Sequence, residues 1–529
     1  MDDATQAIGG GSEDCARPSA VQSPLVEGSP KAHSARPEPK GTGRIFDRGS
    51  LGAGGLYIAL SVIFLGRRLI FDFGGSYVGR EADPSLFIWS ISWWPYAMSH
   101  RLNPILTRTI YAPVGTNLAW LTTVPLASIM VWPVTAARGP IVSYNLLALL
   151  APASAAWAAY ILCRYLTKSV WPAILGGYVF GFSPYFLAQT LAGHLHMVLI
   201  VPVPFALYLT ARWFDGAIES RTLAWLAGLA IAAQLLLSLE VFATATMFAG
   251  LALLLSFGSS TVDTRRRIVK LIGVLGCAYG LALLITSPFI YYVYASGHLG
   301  GSIAIAEQFS ADLLNLLIPT TVNALGALVP LPSLTRVFPG NLFERDAYVG
   351  PVLIGLAIIY ARRYWREPFG KTLIDSLLII CVLSLGPVLQ IGGHRWIGLP
   401  GYLLAATPLI NGAVSARFMM FGFLILAIIT AQWLTSSDAS LRNKWIVAAL
   451  VVLFSLPNLD GRFWMTQSIL RSFSPAGSTA SILGAVKTYS RLPTRSMATA
   501  CFGRLKVDFI SAWREDGPEC CHKNTCAGR

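Results

Sequence analysis

Long apolar runs separated by short polar segments dominate the pattern of this chain. Many runs are close in length to the roughly 20 residues that an α-helix needs to cross a bilayer. They are continuous and do not alternate, which argues against a β-barrel. The pattern predicts an all-α, polytopic transmembrane helical bundle of about 11 to 12 spans. The predicted spans are 51–70, 118–136, 141–162, 170–188, 197–214, 222–257 (one or two crossings), 268–290, 347–361, 372–391, 413–434 and 445–459.

Composition supports a membrane protein. Of 529 residues, 54% are hydrophobic and only 12% are charged, whereas soluble domains carry about 25% charged residues. The net charge of +14 comes from Lys and Arg in short clusters between apolar runs, the pattern of cytoplasmic loops. No basic and aromatic stripe marks a soluble segment, so we expect no nucleic-acid partner. We predict a multi-pass protein of the plasma (inner) membrane.

Three regions follow from the distribution of apolar residues. Residues 1–45 are rich in Ser, Pro, Gly and Ala, which predicts a disordered N-terminal tail. The first apolar run is long, so we expect an uncleaved anchor and no cleaved signal peptide. Residues 46–460 hold the predicted multi-pass domain. Residues 461–529 form a C-terminal tail, predicted to be extracytoplasmic, in which four of the cysteines cluster.

Basic clusters predict the topology of the second half. The clusters at 265–270 and 362–371 should be cytoplasmic, which places 291–346 and 392–412 outside. Loop 71–117 is outside if the N-terminus is inside. Two spans then follow and carry Arg164 and Lys168 to the outside, which the positive-inside pattern disfavours. At least one predicted boundary in the first half therefore conflicts with the charges.

Two carboxylates open the first outside loop, in "YVGREADPSLFIWSISWW". In an extended segment Glu81 and Asp83 point to the same side. Asp83 followed by Pro84 also predicts a helix start, with Asp83 as N-cap. The helix predicted over 84–99 is rich in the aromatic residues that settle at the membrane–water boundary. A catalytic base acting on a lipid-linked substrate would lie here; alternatively, Asp83 only caps the helix and Glu81 is solvated.

Three polar residues interrupt apolar sequence further along. His194 and His196, in "AGHLHM", are too few for a zinc site, which needs three or four ligands. They could bind phosphate or acceptor, or simply be hydrogen-bonded at a helix end. No motif calls for a cofactor, although a divalent metal shared with Glu81 or Asp83 stays open. Glu240 is a functional candidate if it lies at membrane depth, and a solvated turn residue otherwise.

Two more candidates lie next to later spans. Glu344 and Tyr348 belong to "GNLFERDAYVG", a polar segment that either contacts a sugar or is a solvated loop. Arg417, in "VSARF", follows an outside segment. The planar fork of arginine suits a phosphate; the alternative is an arginine that reaches the interface with its charged end.

Several of these stretches, in this order, resemble the GT-C class of membrane glycosyltransferases. They include "GREADPSLFIWSISWW", "GNLFERDAYVG" and "LPGYLLAATPLINGAVSARF", and the resemblance covers about residues 50–435. It implies a polyprenyl-phosphate-linked sugar as donor and a lipid, glycan or protein as acceptor. It also implies a first-loop carboxylate as general base. On this sequence that residue is Asp83, then Glu81, then Asp72.

The expected function is therefore transfer of a sugar to an acceptor outside the cytoplasm. The alternative from another class is a transporter or flippase of a lipid-linked glycan. Such a protein would carry charges along a path inside the bundle, often with inverted repeats. A structural assembly factor is a third alternative, and it would tolerate neutral substitutions at Asp83 and Arg417.

Overall fold

The computed structural model describes residues 47–468, apart from 81, 296–302, 329 and 406–412. The tail predicted over 1–45 and nearly all of the tail predicted over 461–529 lie outside these residues. Glu81 lies outside them as well. All statements below concern the described part of the chain.

Most of the described chain is helical, as predicted. The α-helices in chain order are α1 (Arg48–Ser61), α2 (Asp83–Ser99), α3 (Pro125–Met130), α4 (Trp132–Arg138), α5 (Pro140–Thr167), α6 (Val170–Gly181), α7 (Pro184–Ala192), α8 (Leu195–Val198), α9 (Pro202–Phe214), α10 (Ser220–Leu237), α11 (Leu239–Ser259), α12 (Val262–Ala295), α13 (Ile303–Gln308), α14 (Leu331–Thr335), α15 (Gly350–Tyr364), α16 (Pro368–Ser384), α17 (Gly401–Ala405), α18 (Met419–Ser436) and α19 (Leu441–Phe454).

Short strands make up three two-stranded antiparallel sheets among the described residues. They are β1 (Ser76–Val78) with β6 (Met465–Gln467), β2 (Leu106–Thr107) with β3 (Thr116–Asn117), and β4 (Val388–Ile391) with β5 (His394–Gly398). The β1–β6 pair joins the first loop to the segment after α19. Strand β6 therefore lies just beyond the boundary predicted at residue 460.

Seven of the described helices, or eight if the bent pair α6–α7 is one span, are long and apolar enough to cross a membrane. This is compatible with a multi-pass membrane protein. The number is lower than the predicted 11 to 12 partly because α15, α16 and α19 have only 15, 17 and 14 residues. The long segments are Arg48–Gly66, Pro140–Thr167, Leu195–Phe214, Ser220–Leu237, Leu239–Ser259, Val262–Ala295 and Ser415–Ser436.

One predicted span differs from the structure, and the structure decides an alternative left open for another; both outcomes have local reasons. The single span predicted over 118–136 is wrong: it forms the short helices α3 and α4, each with a proline in its first turn. Proline fits the start of a helix and interrupts its interior. The long segment 222–257 is two helices. Ser238 between them is extended, and its hydroxyl accepts a hydrogen bond from the Val241 N–H at 3.2 Å, which caps α11.

The basic residues of the first half lie at one end of the helix bundle. Helices α1 and α5 run antiparallel, because Asp47 pairs with Arg164 at 2.5 Å while Ser61 donates to the Leu149 carbonyl. Arg164 and the first residue of α1 are thus on the same side. Removing 118–136 as a span also removes the charge conflict found in the sequence.

Further contacts hold the same end together. Arg267 at the start of α12 donates to the carbonyl of Phe214 at the end of α9. Arg363 at the end of α15 pairs with Asp438 before α19 at 3.2 Å. We call this region, with Arg164, Lys168 and the clusters at 265–270 and 362–371, the basic end.

Small residues let α5 and α6 pack closely. A Cβ on Gly181 would lie 2.4 Å from the Pro152 carbonyl oxygen, and a Cβ on Gly177 would lie 2.5 Å from the Ala156 carbonyl oxygen. Small residues at such crossings allow close backbone approach between membrane helices. Helix α5 is also largely buried, by α1, α6, α9 and α18.

Helix α2 starts where the sequence predicts, but its environment differs. Phe87, Ile91 and Trp93 are buried inside the protein. The indole N–H of Trp93 donates to the Pro104 carbonyl at 2.9 Å, and that of Trp94 donates to the Thr123 hydroxyl at 3.2 Å. These tryptophans are therefore buried within the protein and do not form an exposed interfacial face.

Candidate functional site

Asp83 is the first residue of α2 and points away from its own helix. Ala82 is the N-cap, and among the described residues no side-chain hydrogen bond caps this end of the helix. The prediction of Asp83 as N-cap is therefore wrong. Instead, Asp83 Oδ2 lies 2.8 Å from Nε2 of His194. The Asp83 side chain keeps 40% of its surface exposed, so it can meet a substrate.

Glycines bring these two residues together. Gly193 has a φ of +81°, and a Cβ there would lie 2.3 Å from Cγ of Pro84. Gly79 has a φ of +111°, and a Cβ there would lie 2.9 Å from the same atom. Glycine adopts this backbone without strain and leaves room for the ring. Pro84 therefore packs against Gly79 and Gly193, which places Asp83 next to His194.

Gln189 on α7 connects His194 to the later acids. Its amide oxygen lies 2.6 Å from His194 Nδ1. Its amide nitrogen donates to the Phe343 carbonyl at 3.1 Å, to Glu344 Oε2 at 3.2 Å and to Asp346 Oδ2 at 3.0 Å. Gln189 is not among the candidate residues predicted from the sequence. The available signal was a lone amide in the apolar stretch "YFLAQTLAGHLHM".

Arg417 lies between two carboxylates from different parts of the chain. Its Nη2 is 2.5 Å from Glu344 Oε1, and its Nε is 3.1 Å from Glu344 Oε2. Its Nη1 donates to Glu240 Oε2 at 2.9 Å. Glu240 is in the first turn of α11, and Arg417 is in the short turn before α18. Glu344 and Glu240 are therefore partners of the guanidinium and not solvated loop residues.

The pKa values of Glu344 and Asp346 are shifted in opposite directions. Burial raises the pKa of Glu344, but the adjacent Arg417 lowers it more, and the result lies below the usual value. Burial and the negative charge of Glu344 raise the pKa of Asp346 well above its usual range. The protonated form of Asp346 is therefore more favoured than that of an ordinary aspartate. Its Oδ1 is buried and has no hydrogen-bond partner among the described residues.

The charge of Asp83 is set by its neighbours. Burial raises its pKa, but the hydrogen bond and charge of His194, with the charge of Arg417, lower it more. The net pKa lies below the usual carboxyl value, so Asp83 is ionised at neutral pH. Its exposure lets solvent screen these charges, which keeps the effect modest.

We call the connected residues the polar cluster. It comprises Asp83, Gln189, His194, Glu240, Glu344, Asp346 and Arg417. Because His194 follows α7 while Glu240 opens α11 and Arg417 precedes α18, the cluster lies at the end of the bundle opposite the basic end. Hydrogen bonds and ion pairs therefore connect a half-exposed carboxylate to a buried guanidinium.

The remaining candidates lie beside the cluster or apart from it. His196 is buried, its ring stacks on Phe87 with centroids 5.5 Å apart, and its Nδ1 has no hydrogen-bond partner in the described chain. Burial raises the pKa of Tyr348 to about 12, and Tyr348 is not among the residues that bond within the cluster. Asp72 accepts a hydrogen bond from the Ser76 hydroxyl.

Among the described residues, no group of three or more His, Cys, Asp or Glu is arranged to hold a metal ion.

These features define a mostly helical protein with seven or eight helices able to cross a membrane and a polar cluster at one end of the bundle. The chain belongs to the family described as "Domain of unknown function (DUF6311)", whose model matches residues 56–460. A search of curated proteins finds no match.

Proposed function

We propose that this protein is a multi-pass glycosyltransferase of the plasma membrane. It transfers a sugar from a polyprenyl-phosphate donor to a lipid, glycan or protein acceptor outside the cytoplasm. The observation that carries this proposal is the half-exposed Asp83 carboxylate held by His194 at the end of the bundle opposite the basic end. The resemblance of the sequence to GT-C glycosyltransferases supplies the donor class.

The charge distribution supports the orientation. The positive-inside pattern assigns the basic end to the cytoplasm, so the polar cluster faces outward, where lipid-linked sugars meet water. Helices α15, α16 and α19 each run between the same two ends and would cross as well. Eight crossings from the long segments, with α6–α7 as one, and three from these shorter helices make eleven.

The proposed chemistry uses Asp83 as general base. His194 holds Oδ2, which leaves Oδ1 to take the proton of the acceptor hydroxyl. The acceptor oxygen then forms a bond to the anomeric carbon, and the bond from that carbon to the phosphate oxygen breaks with its electrons. Arg417 is the cation near the donor phosphate. Its guanidinium is oriented by Glu344 and Glu240, which fixes the direction of its remaining donors.

One observation favours the transporter or flippase as second candidate. Arg417, Glu344 and Glu240 place three charged groups among packed helices, which is typical of a substrate path as well as of a catalytic site. Such a protein would move the lipid-linked glycan and leave the sugar–phosphate bond intact.

The decisive experiment is sugar transfer in proteoliposomes with a panel of labelled polyprenyl-phosphate sugars. Wild type, Asp83→Asn and Asp438→Asn are compared at matched amounts. Asp438 is the control because it is an exposed acid at the basic end, 93% exposed, paired with Arg363. We expect transfer by wild type and Asp438→Asn and its loss in Asp83→Asn. Intact labelled lipid that only changes leaflet would replace this proposal with the transporter.

A further inference from the structure

We propose that Gln189 is a positioning residue for the base. Its amide oxygen fixes a proton on Nδ1 of His194, so that Nε2 of the same ring donates to Asp83 Oδ2 and leaves Oδ1 free for the acceptor. This inference rests on the proposed function and adds a residue that acts through His194 without contacting substrate.

The orientation of the Gln189 amide follows from its neighbours. Its nitrogen is within 3.0 to 3.2 Å of the Phe343 carbonyl, Glu344 Oε2 and Asp346 Oδ2. The Phe343 carbonyl oxygen can only accept a hydrogen bond, and the same holds for the Glu344 carboxylate, which is paired with Arg417. The reversed amide would place its oxygen against these two acceptors. The nitrogen therefore faces the acids and the oxygen faces His194.

This orientation assigns the protons of His194. An amide oxygen accepts, so Nδ1 at 2.6 Å must donate and carries a proton. The ring then cannot turn over without losing this bond, and Nε2 stays directed at Asp83, 2.8 Å away. One proton lies between Nε2 and Oδ2, since a carboxylate and a bare ring nitrogen would repel at that distance. In histidines, the hydrogen bond made by one ring nitrogen commonly decides whether the other nitrogen carries a proton.

Several charged groups face the His194 ring. Asp83 on α2 bonds to Nε2, and Glu344 Oε1 lies 3.8 Å from Nδ1. The His196 ring is 5.7 Å away, between centroids. Asp346 and Arg417 lie behind Gln189 and Glu344 respectively. Among these neighbours, the Gln189 amide oxygen is the acceptor that lies within hydrogen-bond distance of Nδ1.

Every proton and electron pair of the sugar-transfer step is accounted for. The acceptor O–H bond breaks, and its proton moves to Asp83 Oδ1. The oxygen electron pair forms the new bond to the anomeric carbon, and the polyprenyl phosphate leaves with the electrons of the old bond. His194 keeps both ring protons throughout, so Gln189 accepts the same hydrogen bond before and after transfer.

The test compares Gln189→Met with Gln234→Met. Gln234 is a matched control because it is also a buried glutamine in a helix, and neither atom of its amide has a partner in the described chain. We expect Gln189→Met to lower kcat by roughly 10- to 100-fold with little change in KM, as small misplacements of catalytic groups do. Gln234→Met should match wild type in both.

A second readout does not need activity. With ¹⁵N-labelled histidine, seven residues contribute signals, and the His194 signals are those lost in His194→Asn. We expect a protonated Nδ1 in wild type and a changed Nδ1 signal in Gln189→Met. Gln189→Asn, whose amide is too short to reach the ring, replaces Gln189→Met if that protein does not fold.

The outcomes separate this inference from the proposed function. Unchanged kcat and an unchanged Nδ1 signal in Gln189→Met, with Asp83→Asn inactive, would overturn the role of Gln189 and keep the enzyme. If wild type transfers no sugar, the proposed function fails. The ¹⁵N signals then still decide whether Gln189 holds the ring.

Discussion

Asp83 Oδ2 lies 2.8 Å from His194 Nε2, although the two residues belong to segments well separated in the chain. If this pair is the acid–base centre, replacing the histidine disorients the carboxylate. We expect His194→Asn to lower kcat for sugar transfer by about 100-fold, within the range of general base contributions. His394→Asn is the control, since His394 is exposed on β5. Equal rates for both variants would remove His194 from the centre.

Gly193 should tolerate no side chain. A left-handed residue other than glycine costs about 1–2 kcal/mol, and a Cβ at Gly193 would also press on Pro84 at 2.3 Å. Gly216 has a similar φ of +73° with nothing within 4 Å of its Cβ position. We expect Gly193→Ala to lower Tm more than Gly216→Ala and to reduce transfer. Equal Tm values in thermal unfolding would show that the contact with Pro84 carries no cost.

Arg417 should matter for stability as well as for function. Removing one partner of a buried ion pair leaves the other charge unpaired, at a cost of about 3–5 kcal/mol. Arg417→Gln would leave Glu344 and Glu240 uncompensated. The exposed Arg363–Asp438 pair is the comparison, because surface pairs contribute about 0–1 kcal/mol. We expect a large loss of Tm for Arg417→Gln and almost none for Arg363→Gln; similar values would contradict the buried pairing.

The ion pair between Asp47 and Arg164 at the basic end should make the stability of the protein depend on pH. Its hydrogen bond from Arg164 lowers its pKa from 3.8 to about 2. A carboxyl whose folded pKa is lowered contributes stability above its unfolded pKa and loses it as the pH falls through its folded pKa. We expect wild type to exceed Asp47→Asn in Tm by a small constant margin above pH 4. The margin should shrink between pH 3.8 and about 2, and a margin independent of pH would exclude this pairing.

The sequence predicted local structure well where one segment decides it. The apolar runs became helices, and Asp83-Pro84 starts a helix. The one wrong span and the alternative left open over 222–257 also have local causes. Pro125 and Pro133 divide 118–136 into two short helices, although the average hydropathy of that stretch resembles a span. Ser238 ends α10 and caps α11, which hydropathy alone does not reveal.

The partners of the candidate residues were decided by tertiary structure. The sequence identified Asp83, His194, Glu240, Glu344 and Arg417 as separate candidates, because acids, histidines and arginines beside apolar spans are unusual. It could not show that Arg417 lies between two of these acids. It also missed Gln189, since a lone uncharged amide in an apolar stretch is only a weak signal until its buried partners are known. Composition and helical periodicity act along the chain and are determined by the sequence alone. Hydrogen bonds between α7, α11 and the loops around Asp83, Glu344 and Arg417 depend on how the helices pack, so only the folded chain decides them.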